Sequence, residues 1–90
     1  MQRQVDDFLR YLEVERRYSG HTLTAYRNDL SQFVAHLGEP NELGPAPQRW
    51  ADVGRDRVVD YVLHLKGRGY SSATVARKVA AVKSLFRFLT

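Results

Sequence analysis

The sequence predicts an all-α fold, a bundle of four helices joined mostly by short connections. Apolar residues recur with the 3.6-residue period of amphipathic helices in four segments. Two of these segments follow a Ser-x-x-Thr motif, a common way to begin a helix. No stretch alternates between apolar and polar residues for long enough to predict a strand. The predicted helices cover about 4–17, 20–37, 55–66 and 71–90.

The first helix is predicted from a single apolar stripe and from the placement of its charges. We expect Asp6 and Asp7 in its first turn and Arg16 and Arg17 in its last, where the helix dipole favours each sign. The dipeptide Ser19-Gly20 should end it. The stripe consists of Val5, Phe8, Leu9 and Leu12.

The second helix should begin after Ser19, whose hydroxyl can accept an otherwise unpaired backbone N–H. Gly38 suits the left-handed position just past the helix end. A loop over 38–53 follows, in which Pro40 is one of three prolines and Trp50 is expected to cover the core. The buried stripe of the helix is predicted to be Leu23, Tyr26, Leu30, Phe33, Val34 and Leu37.

The third and fourth helices are separated by a short glycine-containing segment, 67–69, which should end the third helix. Ser71 is the expected N-cap of the fourth. Tyr61 falls on the apolar stripe of the third helix and is predicted to be a core residue. The inner stripe of the fourth helix is predicted to be Val75, Val79, Val82, Phe86 and Leu89.

Composition excludes several classes of protein. The 90 residues suffice for one domain, 1–90, with one modest core, and the absence of cysteine excludes disulfides and thiolate metal sites. No apolar segment is long enough to span a membrane and no signal peptide begins the chain, so a cytoplasmic protein is expected. The three histidines are scattered without metal-ligand spacing. No reacting constellation or cofactor motif is present, so the isolated chain is predicted not to be an enzyme.

Charge divides the chain into two unequal parts. The first sixty residues hold all ten acids and eight of the bases, a net charge of −2, whereas 61–90 holds six bases and no acid. Such a split is informative about partners. A basic helix on a small helical domain points first to nucleic acid.

The basic residues lie on helical faces opposite the apolar stripes. The fourth helix should expose Thr74, Arg77, Lys78, Ala81 and Ser84, with Lys83 and Arg87 on the flank, and the second should expose Thr24, Arg27, Asn28 and Ser31. Each of these helices can be capped by a serine–threonine pair, Ser19 with Thr22 in the second helix and Ser71 with Thr74 in the fourth. The same hydroxyls, beside free N–H groups, can also bind phosphate. Both roles are open from the sequence alone.

Two segments match a pattern known from one enzyme family. They are Ser19-x-x-Thr22-x-x-x-Tyr26-x-x-Asp29-Leu30-x-x-Phe33, and Gly67-Arg68-Gly69-Tyr70-Ser71-x-x-Thr74-Val75-x-Arg77-x-Val79-x-Ala81-Val82-Lys83-Ser84-Leu85-Phe86-Arg87-Phe88-Leu89. They resemble the second helix and the third-to-fourth helix passage of the core-binding domain of tyrosine recombinases. The opening, Phe8-Leu9-Arg10-Tyr11-Leu12-x-Val14-Glu15-Arg16, is most similar to the Xer branch and its phage-integrase relatives. Only the loop over 39–51 is unmatched.

The resemblance implies a SAM-like four-helix domain that forms one half of a C-shaped clamp around double-stranded DNA at a recombination core site. It implies that the second and fourth helices lie across the major groove and that the first helps protomers meet in a synaptic tetramer. The catalytic residues of that family belong to a second, C-terminal domain, expected to be absent from this chain. Lys83 stands where the family commonly has Arg, which would replace a bidentate contact with a point charge.

A DNA interface is therefore predicted on the second and fourth helices. Four bases contacting phosphate would give a log–log salt slope of about −3.6. One alternative is a helical protein-interaction module whose basic face binds an acidic partner. Another is a helix-turn-helix regulator, which needs a tight turn before the fourth helix. The predicted contact residues are Ser19, Thr22, Thr24, Arg27, Ser71, Thr74, Arg77, Lys78 and Lys83.

Overall fold

A computed structural model describes residues 1–39 and 41–90; Pro40, which the sequence places in the loop, lies outside the described residues. In this described part of the chain, four α-helices follow one another, and a short 3₁₀-helix precedes the third. The prediction of an all-α bundle is confirmed. Within the described residues no helix is long and apolar enough to cross a membrane. The elements are α1 (Gln2–Val14), α2 (Gly20–Leu37), η1 (Trp50–Asp52), α3 (Arg55–Gly67) and α4 (Ser72–Leu89).

Helix α4 lies at the centre of the bundle and contacts each of the other three helices. It is therefore covered on more than one side. Its buried residues, Val75, Ala81, Val82 and Leu85, span a wider arc than the single stripe predicted from sequence. Val79, Phe86 and Leu89 of that predicted stripe are partly buried against the core. The fully buried side chains that fix the packing are Val5, Leu30, Phe33, Tyr61, Leu65, Val82 and Leu85.

Helix α1 begins and ends earlier than predicted. It ends at Val14, and Arg17 adopts the left-handed conformation with φ 51°. The N–H of Tyr18 donates to the carbonyl of Leu12 at 3.1 Å, which turns the chain away before Arg16 and Arg17 can enter the helix. Because α1 starts at Gln2, its first turn holds no acid. The predicted dipole pairing at both ends was wrong.

The end of α2 also differs from the prediction. Gly38 has φ −74°, a right-handed value, and its N–H donates to the carbonyls of Val34 and Ala35. The turn continues the helical sense, so no left-handed glycine is needed there. In the loop beyond, Trp50 is buried, as predicted. Its indole packs on Phe33 and Phe86, and Nε1 donates to the carbonyl of Met1 at 3.1 Å.

The connection between α3 and α4 is a tight turn over 68–71. Gly69 adopts φ 86°, a left-handed value that favours glycine, and its N–H donates to the carbonyl of Lys66. The next N–H, that of Tyr70, donates to the carbonyl of Leu65 at 3.3 Å. This turn directs α4 back across the bundle towards α2.

Candidate nucleic-acid interface

Helices α2 and α4 run antiparallel, side by side. Asp29 in the middle of α2 contacts Lys78 of α4, and Gln32 further along α2 bonds to Tyr70 just before α4 begins. Tyr26, nearer the start of α2, shares a cavity with Arg87 from the last turn of α4. The start of each helix is thus near the end of the other. The two Ser-x-x-Thr caps are separated by about 20 Å along the helix axis.

Both caps have the same geometry. The N–H of Thr22 donates to Ser19 Oγ at 3.2 Å, and the Ser19 hydroxyl donates to Thr22 Oγ1 at 3.0 Å. Ser71 and Thr74 repeat these two bonds with the same distances. The capping role predicted for the serines is confirmed. The O–H of each threonine stays available as a donor, because the threonine oxygen is used only as an acceptor in these pairs.

The predicted contact residues are mostly accessible. Ser19, Thr22, Thr24 and Ser71 are exposed and Thr74 is half-buried. The hydroxyl of Thr24 donates to the carbonyl of Gly20 at 2.9 Å, which orients it along the helix.

The predicted basic residues differ in their environments. Lys83 is exposed on α4. Arg27 is exposed and lies 3.8 Å from Asp6 of α1, an open surface pair that contributes little to stability. Arg77 is 59% exposed at its side chain, although it also contacts Asp29.

Lys78 does not lie on the exposed face, as the sequence predicted. Its side chain is only 8% exposed, and Ala81, predicted to share that face, is also buried. The physical reason is the central position of α4, whose Lys78 and Ala81 side is covered by α2. Lys78 Nζ donates to Asp29 Oδ1 at 2.9 Å and to Gln32 Oε1 at 2.7 Å.

Asp29 was quoted in the family motif but was not among the predicted contact residues, yet it lies at the centre of the charged cluster between α2 and α4. Its carboxylate is 4% exposed and receives Lys78 at 2.9 Å and Arg77 Nη2 at 3.2 Å, both on Oδ1. The cluster is completed by Tyr70, whose ring lies 5.3 Å from Lys78 Nζ. A signal was present in the sequence: Asp29 and Lys78 each fall in register with the apolar stripe of their helix. An acid and a base at such positions on two helices predict a buried pair.

The exposed surface of α2 and α4, called the α2–α4 face below, has no acidic residue. Asp29 is the sole Asp or Glu in Gly20–Leu37 and Ser72–Leu89, and it is buried. The acids of the chain lie instead on α1, on α3 and in the loops. The bases of the α2–α4 face therefore have no exposed carboxylate on their own helices, and Arg77 alone among Arg27, Arg77 and Lys83 contacts the buried carboxylate of Asp29.

A groove of about 380 Å³ runs between the two helices beside Arg77. Small side chains, Ala25 from α2 and Ala80 from α4, line it together with Thr22 and His21. Such a surface lets an elongated polar ligand approach the helix backbones closely. Across residues 1–39 and 41–90, no three His, Asp or Glu side chains converge on a point that could hold a metal ion.

Comparison with known proteins gives one consistent result. Residues 5–90 match the family described as phage integrase, N-terminal SAM-like domain. Tyrosine recombinase XerC of Roseiflexus castenholzii is 48% identical over the whole chain, and that of Roseiflexus sp. is 46% identical; the chain spans 27% of each. Tyrosine recombinase XerD of Oceanobacillus iheyensis is 27% identical over 94% of the chain and 27% of its own length. No solved structure gave a significant match.

These relatives correct one prediction. The sequence alone predicted a chain that is not an enzyme, but the matching proteins are recombinases, which are enzymes, and the chain corresponds to about a quarter of their length. The four-helix fold and the recognition of the family from its motifs are confirmed. The chain belongs to the family of phage integrase N-terminal SAM-like domains.

Proposed function

We propose that this chain is the DNA-binding segment of a site-specific tyrosine recombinase and contacts the core recombination site as one half of a clamp. The observation that carries the proposal is the α2–α4 face, which holds exposed bases but no exposed carboxylate. The names of the relatives, tyrosine recombinases, support the same function. A DNA substrate also agrees with action in the cytoplasm, where bacterial DNA lies.

Phosphate contacts dominate the proposed interface. Thr22 and Thr74 each present a hydroxyl beside the free N–H groups of a helix start, an arrangement suited to a phosphate. The two starts lie about 20 Å apart. Two phosphates on opposite strands, across a major groove about 12 Å wide, fit this separation better than two adjacent phosphates on one strand do. Arg77, beside the groove between the helices, is proposed to add an ionic phosphate contact between these two positions.

The burial of Lys78 lowers the expected number of ionic phosphate contacts from four to three. Arg27, Arg77 and Lys83 remain. The log–log salt slope then becomes about −2.7, which corresponds to roughly 40-fold weaker binding when salt rises from 50 to 200 mM. A steeper slope of about −3.6 would mean that another base, such as Arg87, also contacts DNA.

The experiment that tests the function is a fluorescence anisotropy titration of a labelled palindromic duplex at several salt concentrations. The triple variant R27Q/R77Q/K83Q removes the charge of the α2–α4 face. The matched control, R49Q/R55Q/K66Q, removes the same number of charges from exposed bases of the loop and α3. We expect the first variant to lose measurable binding and the control to bind nearly as tightly as the wild type. Equal losses in the two variants would contradict the proposed face.

The protein-interaction module and the helix-turn-helix regulator predict different results when the same protein is titrated with DNA. A protein-interaction module whose basic face binds an acidic partner would prefer a polyglutamate competitor to duplex DNA. A helix-turn-helix regulator would show NMR shifts on α3 and α4 when DNA is added, with α2 unaffected. The clamp proposal requires shifts on α2 and α4 together. The antiparallel contact of these two helices supports it, because one rigid surface then carries both sets of residues.

The proposal extends to contacts between recombinase protomers in a synaptic tetramer. Helix α1 is the proposed contact, since it lies outside the α2–α4 face and ends in Val14, which is 60% exposed. Val14→Glu in the full-length protein should leave binding to a single core site unchanged and weaken assembly of two occupied sites. Sedimentation distinguishes the complex on a single core site from the assembly of two occupied sites, so it measures the two effects separately. Unchanged assembly would remove Val14 from the protomer contact.

A further inference from the structure

The ion cluster between α2 and α4 contains one acid and two bases, so it carries a net positive charge. Asp29 and Lys78 are both more than nine-tenths buried and lie 2.9 Å apart. Arg77 contacts the same oxygen, Asp29 Oδ1, at 3.2 Å, but its side chain is 59% exposed. The excess charge therefore sits on Arg77, the charged member of the cluster that faces solvent.

We propose that Lys78 is a positioning residue for DNA binding: its buried charge neutralises Asp29, so that Arg77 keeps a full positive charge for a phosphate. This inference rests on the proposed function. Without Lys78, Arg77 would be the sole ionic partner of Asp29 and the pair would be neutral. Asp29 would then compete with DNA for the guanidinium. With Lys78 present, the carboxylate orients Arg77 without cancelling its charge.

Lys78 acts through Arg77 because its own contacts are all internal. An ammonium group has three N–H donors. Two are taken by Asp29 Oδ1 and Gln32 Oε1, and the ring of Tyr70 lies 5.3 Å from Nζ. Gln32 in turn donates from Nε2 to the Tyr70 hydroxyl at 3.3 Å, which closes the network. The ammonium is therefore held by groups of the protein, with its side chain only 8% exposed.

The test compares the salt dependence of DNA binding in four variants: K78M, D29N/K78M, K83M and D29N/K83M. Methionine matches the length of lysine without its charge. We expect K78M to weaken binding roughly tenfold, the value of one lost charged hydrogen bond. Its salt slope should become less steep by about 0.9, as if one phosphate contact were lost. The double variant D29N/K78M should restore the wild-type slope, because Arg77 is again free of a competing carboxylate.

The control is Lys83, an exposed base of the same helix. K83M should also reduce the slope by about 0.9, but adding D29N should not restore it. A residue that only stabilised the fold would change the melting temperature and leave the slope unchanged. A direct phosphate contact by Lys78 would leave D29N/K78M with the reduced slope. An unchanged slope in folded K78M, or a reduced slope in D29N/K78M, would overturn the inference, and the second result can be obtained even if K78M does not fold.

A second measurement needs no DNA and separates this inference from the proposed function. In K78M, Arg77 becomes the sole ionic partner of Asp29, so hydrogen exchange at Arg77 Nη2, the atom that donates to Asp29 Oδ1, should slow relative to the wild type. Unchanged exchange in a folded K78M would overturn the inference while the DNA interface stands. Slower exchange without any DNA binding by the wild type would support the charge arrangement and remove the proposed function.

Discussion

Two cations are buried among the described residues, and their partners differ in kind. Lys78, between α2 and α4, has a carboxylate partner at 2.9 Å. Arg57, on α3, is 8% exposed and donates through Nη2 to the backbone carbonyls of Pro45 at 2.9 Å and Leu43 at 3.4 Å. Lys78 joins two helices, whereas Arg57 attaches a loop to one helix.

These two cases show that a buried cation can have two different roles. One is to hold a loop in place, and the other is to set the net charge of a neighbouring surface. Carbonyl dipoles solvate the Arg57 guanidinium without a counter-charge, which suits a residue that fixes the path of a proline-containing loop. Asp29, by contrast, supplies a full negative charge within reach of two bases. If the proposed DNA interface is correct, the buried Lys78, unlike Arg57, influences the charge that the protein presents to its partner.

The largest effect is expected from Asp29→Ala. The variant leaves the buried Lys78 ammonium without its carboxylate, and breaking a buried pair in this way costs about 3 kcal/mol of unfolding free energy. Urea denaturation followed by circular dichroism measures the loss. The control is Asp6→Ala, whose exposed pair with Arg27 should change stability by less than about 0.5 kcal/mol. Similar values for the two variants would mean that the Asp29 cluster does not stabilise the fold.

Arg57→Met should have the next largest effect, a loss of about 2 kcal/mol from two charged hydrogen bonds. The destabilised region should also differ from that in Asp29→Ala. Amide exchange should accelerate in the loop over 41–53, while the salt slope of DNA binding stays unchanged. Arg55→Met, a change at an exposed neighbouring base, is the control. A change in the DNA salt slope of Arg57→Met would remove the distinction between the two buried cations.

Tyr61 provides a smaller, pH-dependent effect beside the Asp29 cluster. Burial, with a further contribution from the negative charge of Asp29, raises the pKa of the Tyr61 hydroxyl from 10.0 to about 12. The folded state thus holds this proton more tightly than the unfolded state, and stability falls as pH rises from 10 towards 12. At pH 11 the loss is between about 1 and 2 kcal/mol. Tyr61→Phe should remove this part of the pH dependence, as denaturation at pH 8 and 11 would show; an equal decline in both proteins would contradict it.

The smallest effects are expected at the two caps. Ser19→Ala and Ser71→Ala should each cost about 1 kcal/mol, because each leaves a helix-start N–H without its acceptor. The caps lie at opposite ends of the helix pair, so the double variant should lose the sum. Melting temperatures of the three variants test this. A double variant much less stable than the sum would show that the caps are coupled.

The sequence predicts local structure well where a single pattern decides it. The apolar period predicted the helices, and the Ser-x-x-Thr motifs predicted both N-caps. The errors arose where tertiary packing decides. Lys78 was placed on the surface because one helix was considered at a time, whereas α4 is covered by three neighbours. Arg17 could not be predicted to turn left-handed, because that conformation depends on how α1 ends against the following segment.

The indole of Trp50 makes the protein suitable for optical measurements. It is the one tryptophan of the chain, and it packs between Phe33 of α2 and Phe86 of α4, with Nε1 bonded to Met1. Its emission should report loss of the core and shift to longer wavelength on unfolding. Because the ring is buried against Phe33 and Phe86, we expect that bases of bound DNA will not stack on it and quench it. Intrinsic fluorescence can therefore measure stability in the presence of DNA, without a label and without interference from the ligand.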